Sequence, residues 1–261
     1  MHPLLNIAIS AARRAGLVIV RHYDEGARLK ISTKGPNDFV TNVDQAVEQE
    51  IIEVIHKSYP HHGIMAEESA FLAPEREDII WIIDPIDGTH NFIKSIPHFA
   101  VSIAVQIKGI IEFGVVFDPI KQELFSASKG GGAQLNGHRI RCSPCEKLEG
   151  AVIGLGFPVC ERQKLAQFSA PYNKIFESCS DFRRSGSAAL DLAYVAAGRF
   201  DAYWDCGLKP WDSAAGALMV REAGGYVSDF QGNSSYFETG EIIAGARKVY
   251  PELLHLIQAT L

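Results

Sequence analysis

The run Asp84-Pro85-Ile86-Asp87-Gly88-Thr89 places two carboxylates, a stiff proline, a glycine and a hydroxyl next to one another. Two carboxylates about 4 Å apart repel by roughly 1 kcal/mol in water and about 4 kcal/mol at an effective dielectric of about 20. Such a cluster makes sense around a compensating hard cation. Glu67-Glu68 and Trp211-Asp212 add acids at places of the same kind, a strand end and a helix start. Oxygen-only donors favour Mg²⁺, Mn²⁺ or Ca²⁺ over zinc. Pro85 stiffens the chain so that Asp84, Asp87 and the Ile86 carbonyl can face one spot. Gly88 admits a close ligand, the N–H groups of Gly88 and Thr89 can hold phosphate oxygens, and the Thr89 hydroxyl can place a water. Each acid also has a plainer reading. Asp212 serves as a helix cap, Asp44 as a first-turn acid, Glu67-Glu68 as a solvated loop and Asp84-Pro85 as a turn. Their co-occurrence in one chain tips the balance toward chemistry.

These residues need elements to carry them. Leu4, Leu5, Ile7, Ala8, Ala11, Ala12 and Ala15 recur at helical spacing over residues 4–22. Residues 34–38 read as a loop. A second helix is expected from Thr41 to Tyr59, with Thr41 as N-cap and Asp44 three residues on. Strands are expected over 63–66, over 78–83 ending on Asp84-Pro85, and over 100–107, 109–117 and 123–127. Gly130-Gly131-Gly132 reads as a turn, with no Gly-Lys-Ser/Thr to make it a phosphate-cradling loop. Further on, strands are expected over 151–156, 200–204 and 226–229, and helices over 161–177, 186–198 and 212–223. The class is α/β or α+β, with layered sheets and helices.

Hydrophobic residues make up 47% of the 261-residue chain, charged residues 21%, and the net charge is −6. That balance is ordinary for a globular enzyme and disfavours nucleic-acid binding as the main activity. No linker or repeat divides residues 1–261. No apolar run suggests a membrane span, and Arg13-Arg14 reads as a solvated helix face rather than an export signal. Five irregularly spaced cysteines predict reduced thiols in a cytoplasm, with Cys142-x-x-Cys145 an incidental pair.

Asp84 through Phe92, with Trp211 through Gly216, resembles the two signatures of the inositol monophosphatase family, and Ala66-Glu67-Glu68-Ser69 looks like its preceding metal-ligand motif. Met1-His2-Pro3, Asn37 through Asp44 and Asp181 through Ala188 are similar to its bacterial branch. The resemblance covers almost the whole chain. It implies a single αβαβα layered sandwich, usually a homodimer, with two or three Mg²⁺ ions (Mn²⁺ as a substitute) and inhibition by lithium. By motif position, Glu67, Asp84, the Ile86 carbonyl, Asp87 and Asp212 ligate metal. Gly88 and Thr89 hold phosphate, bordered by Ile86, Asp87 and Asp212. Asp44 and Thr89, with Glu67, serve catalysis through the attacking water. Gly186, Ser187, Ala188 and Asp205 fall along the substrate hydroxyls, with Arg183 as a charge contact.

The implied activity is hydrolysis of inositol 1-phosphate or a similar small polyol or sugar phosphate by in-line attack of water, without a phosphoenzyme. Asp205 stands where inositol-hydrolysing relatives carry glutamate, and His90 where they carry threonine or valine. Rival substrates are fructose 1,6-bisphosphate, adenosine 3′,5′-bisphosphate and histidinol phosphate. Thr89-His90-Asn91-Phe92 favours the inositol type. Bacterial relatives are also associated with proteins of ribosomal RNA transcription antitermination. Arg183-Arg184 and His138-Arg139-Ile140-Arg141 are the candidate contacts for such partners.

Overall fold

A computed structural model describes residues 2–24, 31–35, 38–76, 78–157 and 165–261. Met1, Pro36, Asn37, Cys160 and the first residues expected in the helix from 161 lie outside the described residues. Helix α1 (Pro3–Asp24) buries the face predicted for it, from Leu4 and Leu5 through Ala8, Ala11, Ala12 and Ala15 to Ile19. It is long and apolar enough by length and composition to cross a membrane, but this face packs against neighbouring elements of the fold. Arg13 and Arg14 are exposed, and Arg14 pairs with Glu50.

Of residues 34–38, expected as a loop, Lys34 and Gly35 end β1 (Ile31–Gly35) and Asp38 opens antiparallel β2 (Asp38–Thr41), while 36 and 37 lie outside the described residues. Helix α2 (Asn42–Ser58) follows at once, N-capped by Thr41 as the sequence predicts.

The larger sheet holds seven strands in sequential order: β3 (Gly63–Ala66), β4 (Ile79–Asp87), β5 (Ala100–Ile107), β6 (Ile110–Asp118), β7 (Glu123–Ser128), β8 (Gly132–Leu135) and β9 (His138–Arg139). Only β3 and β4 pair in parallel. Alternation in β4 and β5 sends Trp81, Ile83, Val101, Ile103 and Val105 toward α1 and α2, and Ile82, Ala100 and Ala104 toward the opposite face. Between Gly130 and Gly132, whose φ angles are +73° and +90°, the turn offers its N–H groups to the Glu222 carboxylate at 2.7 and 2.8 Å. It holds a side chain of its own protein.

The second sheet has the order β11-β10-β12-β14-β13, formed by β10 (Val152–Leu155), β11 (Asp181–Arg183), β12 (Ala202–Cys206), β13 (Tyr226–Ser228) and β14 (Glu241–Gly245). Helices α5 (Ala188–Ala196) and α6 (Pro210–Glu222) lie between the two sheets. Their small residues make this possible. A Cβ on Gly114 of β6 would fall 3.0 Å from the Ala215 backbone, so sheet and helix approach at glycine–alanine distance. Beyond the second sheet pack α4 (Leu165–Ser178) and α8 (Val249–Thr260). The short helices α3 (Thr89–Ile93) and α7 (Tyr236–Thr239) are the remaining α-helices among the described residues. The layers therefore run α1/α2, sheet, α5/α6, sheet, α4/α8, the αβαβα sandwich that the resemblance implies.

Candidate active site

Strand β4 does not end at Asp84-Pro85. It continues to Asp87, and its register with β5 slips there: Asp84 faces Ser102 and Asp87 faces Ala100. Two residues of β4, Pro85 and Ile86, thus oppose Val101 alone, which is a bulge. Proline has no N–H for the ladder, which makes it suited to this place. The bulge has a chemical consequence. Side chains at i and i+3 of a regular strand point to opposite faces, and the extra residue returns Asp84 and Asp87 to the same side.

Asp212 arrives on α6, which packs on the face of the sheet toward which Asp84 and Ser102 point. The Ser102 hydroxyl, directly across from Asp84, donates to the Trp211 carbonyl at 3.1 Å and so fixes the start of α6. Carboxylate oxygens of Asp84, Asp87 and Asp212 lie within 4.8 Å of one another. At that separation each charged pair repels by roughly 3 kcal/mol at an effective dielectric of about 20. Burial, then Glu67, Asp87 and Asp212, push the Asp84 carboxyl well above its ordinary range. Burial and Asp87 do the same to Asp212. Glu67 reaches this group from the end of β3, where its N–H donates to the Ile83 carbonyl at 3.2 Å. An all-oxygen set of hard, mutually repelling donors fits a divalent cation such as Mg²⁺.

The plainer readings of two acids hold together with the chemical ones. Asp212 Oδ2 accepts the Lys209 N–H at 2.7 Å and closes the first turn of α6. Asp44 Oδ2 accepts the Thr41 N–H at 2.8 Å and its hydroxyl at 2.5 Å, completing the cap of α2. Its other oxygen accepts the Thr89 hydroxyl at 3.0 Å. The same hydroxyl lies 3.0 Å from the Ile86 carbonyl. Burial raises the Asp44 pKa, opposed by these bonds.

Asp87 follows the same rule. Its Oδ2 accepts the Ser187 hydroxyl at 2.5 Å and the Ala189 N–H at 2.7 Å, at the N-terminus of α5. Burial outweighs both bonds and raises its pKa to about 6.

Beside the acids opens a cavity of about 170 Å³, lined by Asp87, Asp212, Gly186, Ser187, Ala188 and Asp205. Asp205 is buried and held by the Tyr203 hydroxyl at 2.6 Å and the Cys206 N–H at 2.7 Å. Burial lifts its pKa to about 7. A Cβ on Gly156 would fall 1.8 Å from Asp205 Oδ2, so any larger residue there would have to displace the Asp205 carboxylate. The arginine on the cavity wall is Arg184, not Arg183. Arg183 turns outward from β11 onto Asp181 and the Phe182 carbonyl. His90 is exposed on α3, and Arg139 and Arg141 are exposed on the far edge of the larger sheet.

Sequence reasoning did not place Glu48, Asn91, Tyr203, Arg184 or Gly156 in this site. Glu48 on α2 is buried, and its carboxylate accepts the Glu68 N–H at 2.8 Å, which anchors the turn that carries Glu67. Its place on the buried face of α2 was the available signal. A charged residue there needs a partner.

The family model described as "Inositol monophosphatase family" matches residues 1–260. The chain is 55% identical over 254 residues to the Nus factor SuhB of Escherichia coli K12, covering 97% of this chain and 95% of that protein. The crystal structure of extragenic suppressor protein suhB from Bartonella henselae superimposes with a TM-score of 0.97 at 41% identity, covering 100% of both chains. An IMPase of Thermotoga maritima gives a TM-score of 0.89 at 35% identity, covering 99% of this chain and 98% of the other.

Proposed function

The chain belongs to the inositol monophosphatase family, and from that premise we propose that it is a magnesium-dependent phosphatase acting on inositol 1-phosphate or a closely similar polyol monophosphate. The observation that carries the reading is the convergence of the Asp84, Asp87 and Asp212 carboxylates within 4.8 Å beside the Thr89–Asp44 pair. Asp84, Asp87 and Asp212, with Glu67 and the Ile86 carbonyl, would hold Mg²⁺ or Mn²⁺. The bound cation supplies charge neutralisation for the phosphoryl oxygens and acidifies water.

The residues of the chain do the rest. The N–H groups of Gly88 and Thr89 hold phosphate oxygens. Thr89 donates its hydroxyl proton to Asp44, which leaves its oxygen to accept a hydrogen from the attacking water and aim that water at phosphorus. Water oxygen bonds to phosphorus as the ester oxygen leaves in line; of the attacking water's two protons, one ends on the departing alkoxide and the other on the released phosphate. The alcohol occupies the cavity, where Asp205 accepts from a ring hydroxyl and Arg184 stands at the wall. A volume of about 170 Å³ suits one polyol ring better than a nucleoside. Lithium sensitivity and a homodimeric state, which the family resemblance implies, and the cytoplasmic setting expected from the cysteines complete the proposal.

Comparison of kcat/KM for inositol 1-phosphate, fructose 1,6-bisphosphate, adenosine 3′,5′-bisphosphate and histidinol phosphate tests the substrate. The proposal expects the first to lead by at least about tenfold. A lead for any other would overturn the inositol assignment.

A second reading rests on the 55% identity to a protein named as a Nus factor. The chain would then also contact transcription antitermination proteins. Recovery of transcription factors with the tagged protein from cell extract supports this role, and their absence counts against it.

A further inference from the structure

We propose that Asn91 is a positioning residue that sets the spacing between the phosphate turn and the alcohol cavity. The inference rests on the reading that Gly88-Thr89 grips phosphate while residues 186–188 border the alcohol. Asn91 lies on α3, two residues after Thr89. Its side-chain amide donates to the His98 carbonyl at 2.7 Å and to the Ser185 carbonyl at 2.9 Å. Both hydrogens of the amide are thereby used, and each goes to a different segment of backbone.

The segments joined are those that matter. Ser185 directly precedes Gly186, whose φ of +91° lets the chain turn against Asn91. A Cβ on Gly186 would fall 3.1 Å from Asn91 Nδ2. One on Gly88 would fall 3.1 Å from the His98 carbonyl oxygen and 3.2 Å from that of Gly186. Three stretches of backbone, at residues 88–91, 98 and 185–186, thus meet around one amide with no room for larger side chains. From this junction the chain enters α5, whose first turn holds Asp87 through Ser187 and Ala189.

The chemistry of the clamp excludes substitutes. Aspartate has the same shape, yet its ionised carboxylate only accepts, so it would set oxygens against two carbonyl oxygens. Serine reaches neither carbonyl but adds no repulsion. Either change releases residues 185–188 from the phosphate turn, and contacts to the alcohol loosen more than contacts to phosphorus.

The test compares kcat/KM for inositol 1-phosphate with that for p-nitrophenyl phosphate, whose leaving group carries no hydroxyl to contact residues 186–188. The ratio of the two should fall about tenfold in Asn91→Asp and about threefold or more in Asn91→Ser, the scale of one or two lost hydrogen bonds. A purely structural role would lower the fraction of folded enzyme and scale both substrates alike. If Asn91→Asp fails to fold, Asn91→Ser carries the comparison. A ratio within about twofold of wild type while the wild-type enzyme is active would overturn this inference alone. Wild-type protein inert toward inositol 1-phosphate would overturn the substrate assignment and this inference with it.

Discussion

The Thr89 hydroxyl donates to Asp44 Oδ1 at 3.0 Å across 45 positions of sequence, joining the first turns of two helices. Asp44 commits its other oxygen to Thr41, so it cannot turn away from Thr89. The same economy recurs in the cluster. Asp87 and Asp212 each bind backbone N–H at the start of a helix with one oxygen and leave the second toward the site. Helix starts favour carboxylates electrostatically, which offsets part of the cost of bringing the acids together.

If Thr89 passes its proton toward Asp44 to orient water, the hydroxyl matters more than the side-chain volume. Thr89→Val should lower kcat by about 100-fold or more with a small change in KM. Thr89→Ser should stay within about tenfold of wild type. Steady-state kinetics of the two variants checks this.

Without metal, Asp84 faces Glu67, Asp87 and Asp212 in a buried site, and its raised pKa records the strain. Asp84→Asn should therefore melt higher than wild type in EDTA, by roughly 2–4 °C for each kcal/mol relieved. Saturating Mg²⁺ should reverse the order, because ligand binding stabilises only the protein that binds it. Thermal melts of both proteins in both conditions provide the comparison.

Asp205 adds a pH dependence with a definite sign. Its pKa rises from an ordinary 3.8 to about 7 on folding. The folded state thus holds the proton more tightly, and the contribution is fully favourable below about pH 3.8 and lost as pH rises through about 7. Asp205→Asn keeps an oxygen for the Cys206 N–H and an NH₂ for the Tyr203 oxygen, and it does not ionise. Metal-free wild type should lose stability relative to this variant between pH 5 and pH 8, by on the order of a few kcal/mol. Parallel denaturant titrations across that range measure it.

Glu48 supports Glu67 from behind through the Glu68 N–H. Glu48→Ala should raise the Mg²⁺ concentration for half-maximal turnover and cost about 1–3 kcal/mol of stability. Glu48→Gln retains an acceptor and should preserve both properties. Magnesium titration of activity separates the pair.

Much of the fold is legible in the chain. Helix α2 and its cap follow from Thr41, Asp44 and the apolar positions Val47, Ile51 and Ile55. The end of β4 is less so, because Pro85 reads as a stop when it is the extra residue of a bulge. Helix α8 carried a usable signal in Val249, Leu253 and Ile257, spaced four apart and all buried. Strand β14 did not: Glu241 to Gly245 is a short segment whose identity comes from pairing with β12 and β13. The division of strands into two sheets is likewise a matter of distant contacts.

The site divides in the same way. Asp84, Asp87, Thr89 and Asp212 announce themselves by type and local spacing. Asn91 and Glu48 do not, because their partners Ser185 and Glu68 stand 94 and 20 residues away. Arg183 and Arg184 are adjacent in sequence, and only the geometry at the end of β11 decides which one lines the cavity.

The central claim is that the acids around Asp84 hold a divalent cation on which phosphomonoester hydrolysis depends. Its most direct test is phosphate release from inositol 1-phosphate by EDTA-stripped protein as Mg²⁺ is restored, beside Asp87→Asn. Turnover absent without metal, recovered saturably with Mg²⁺ and nearly abolished in Asp87→Asn is the predicted result. Turnover that survives metal removal, or persists at near wild-type rates in Asp87→Asn, would contradict it.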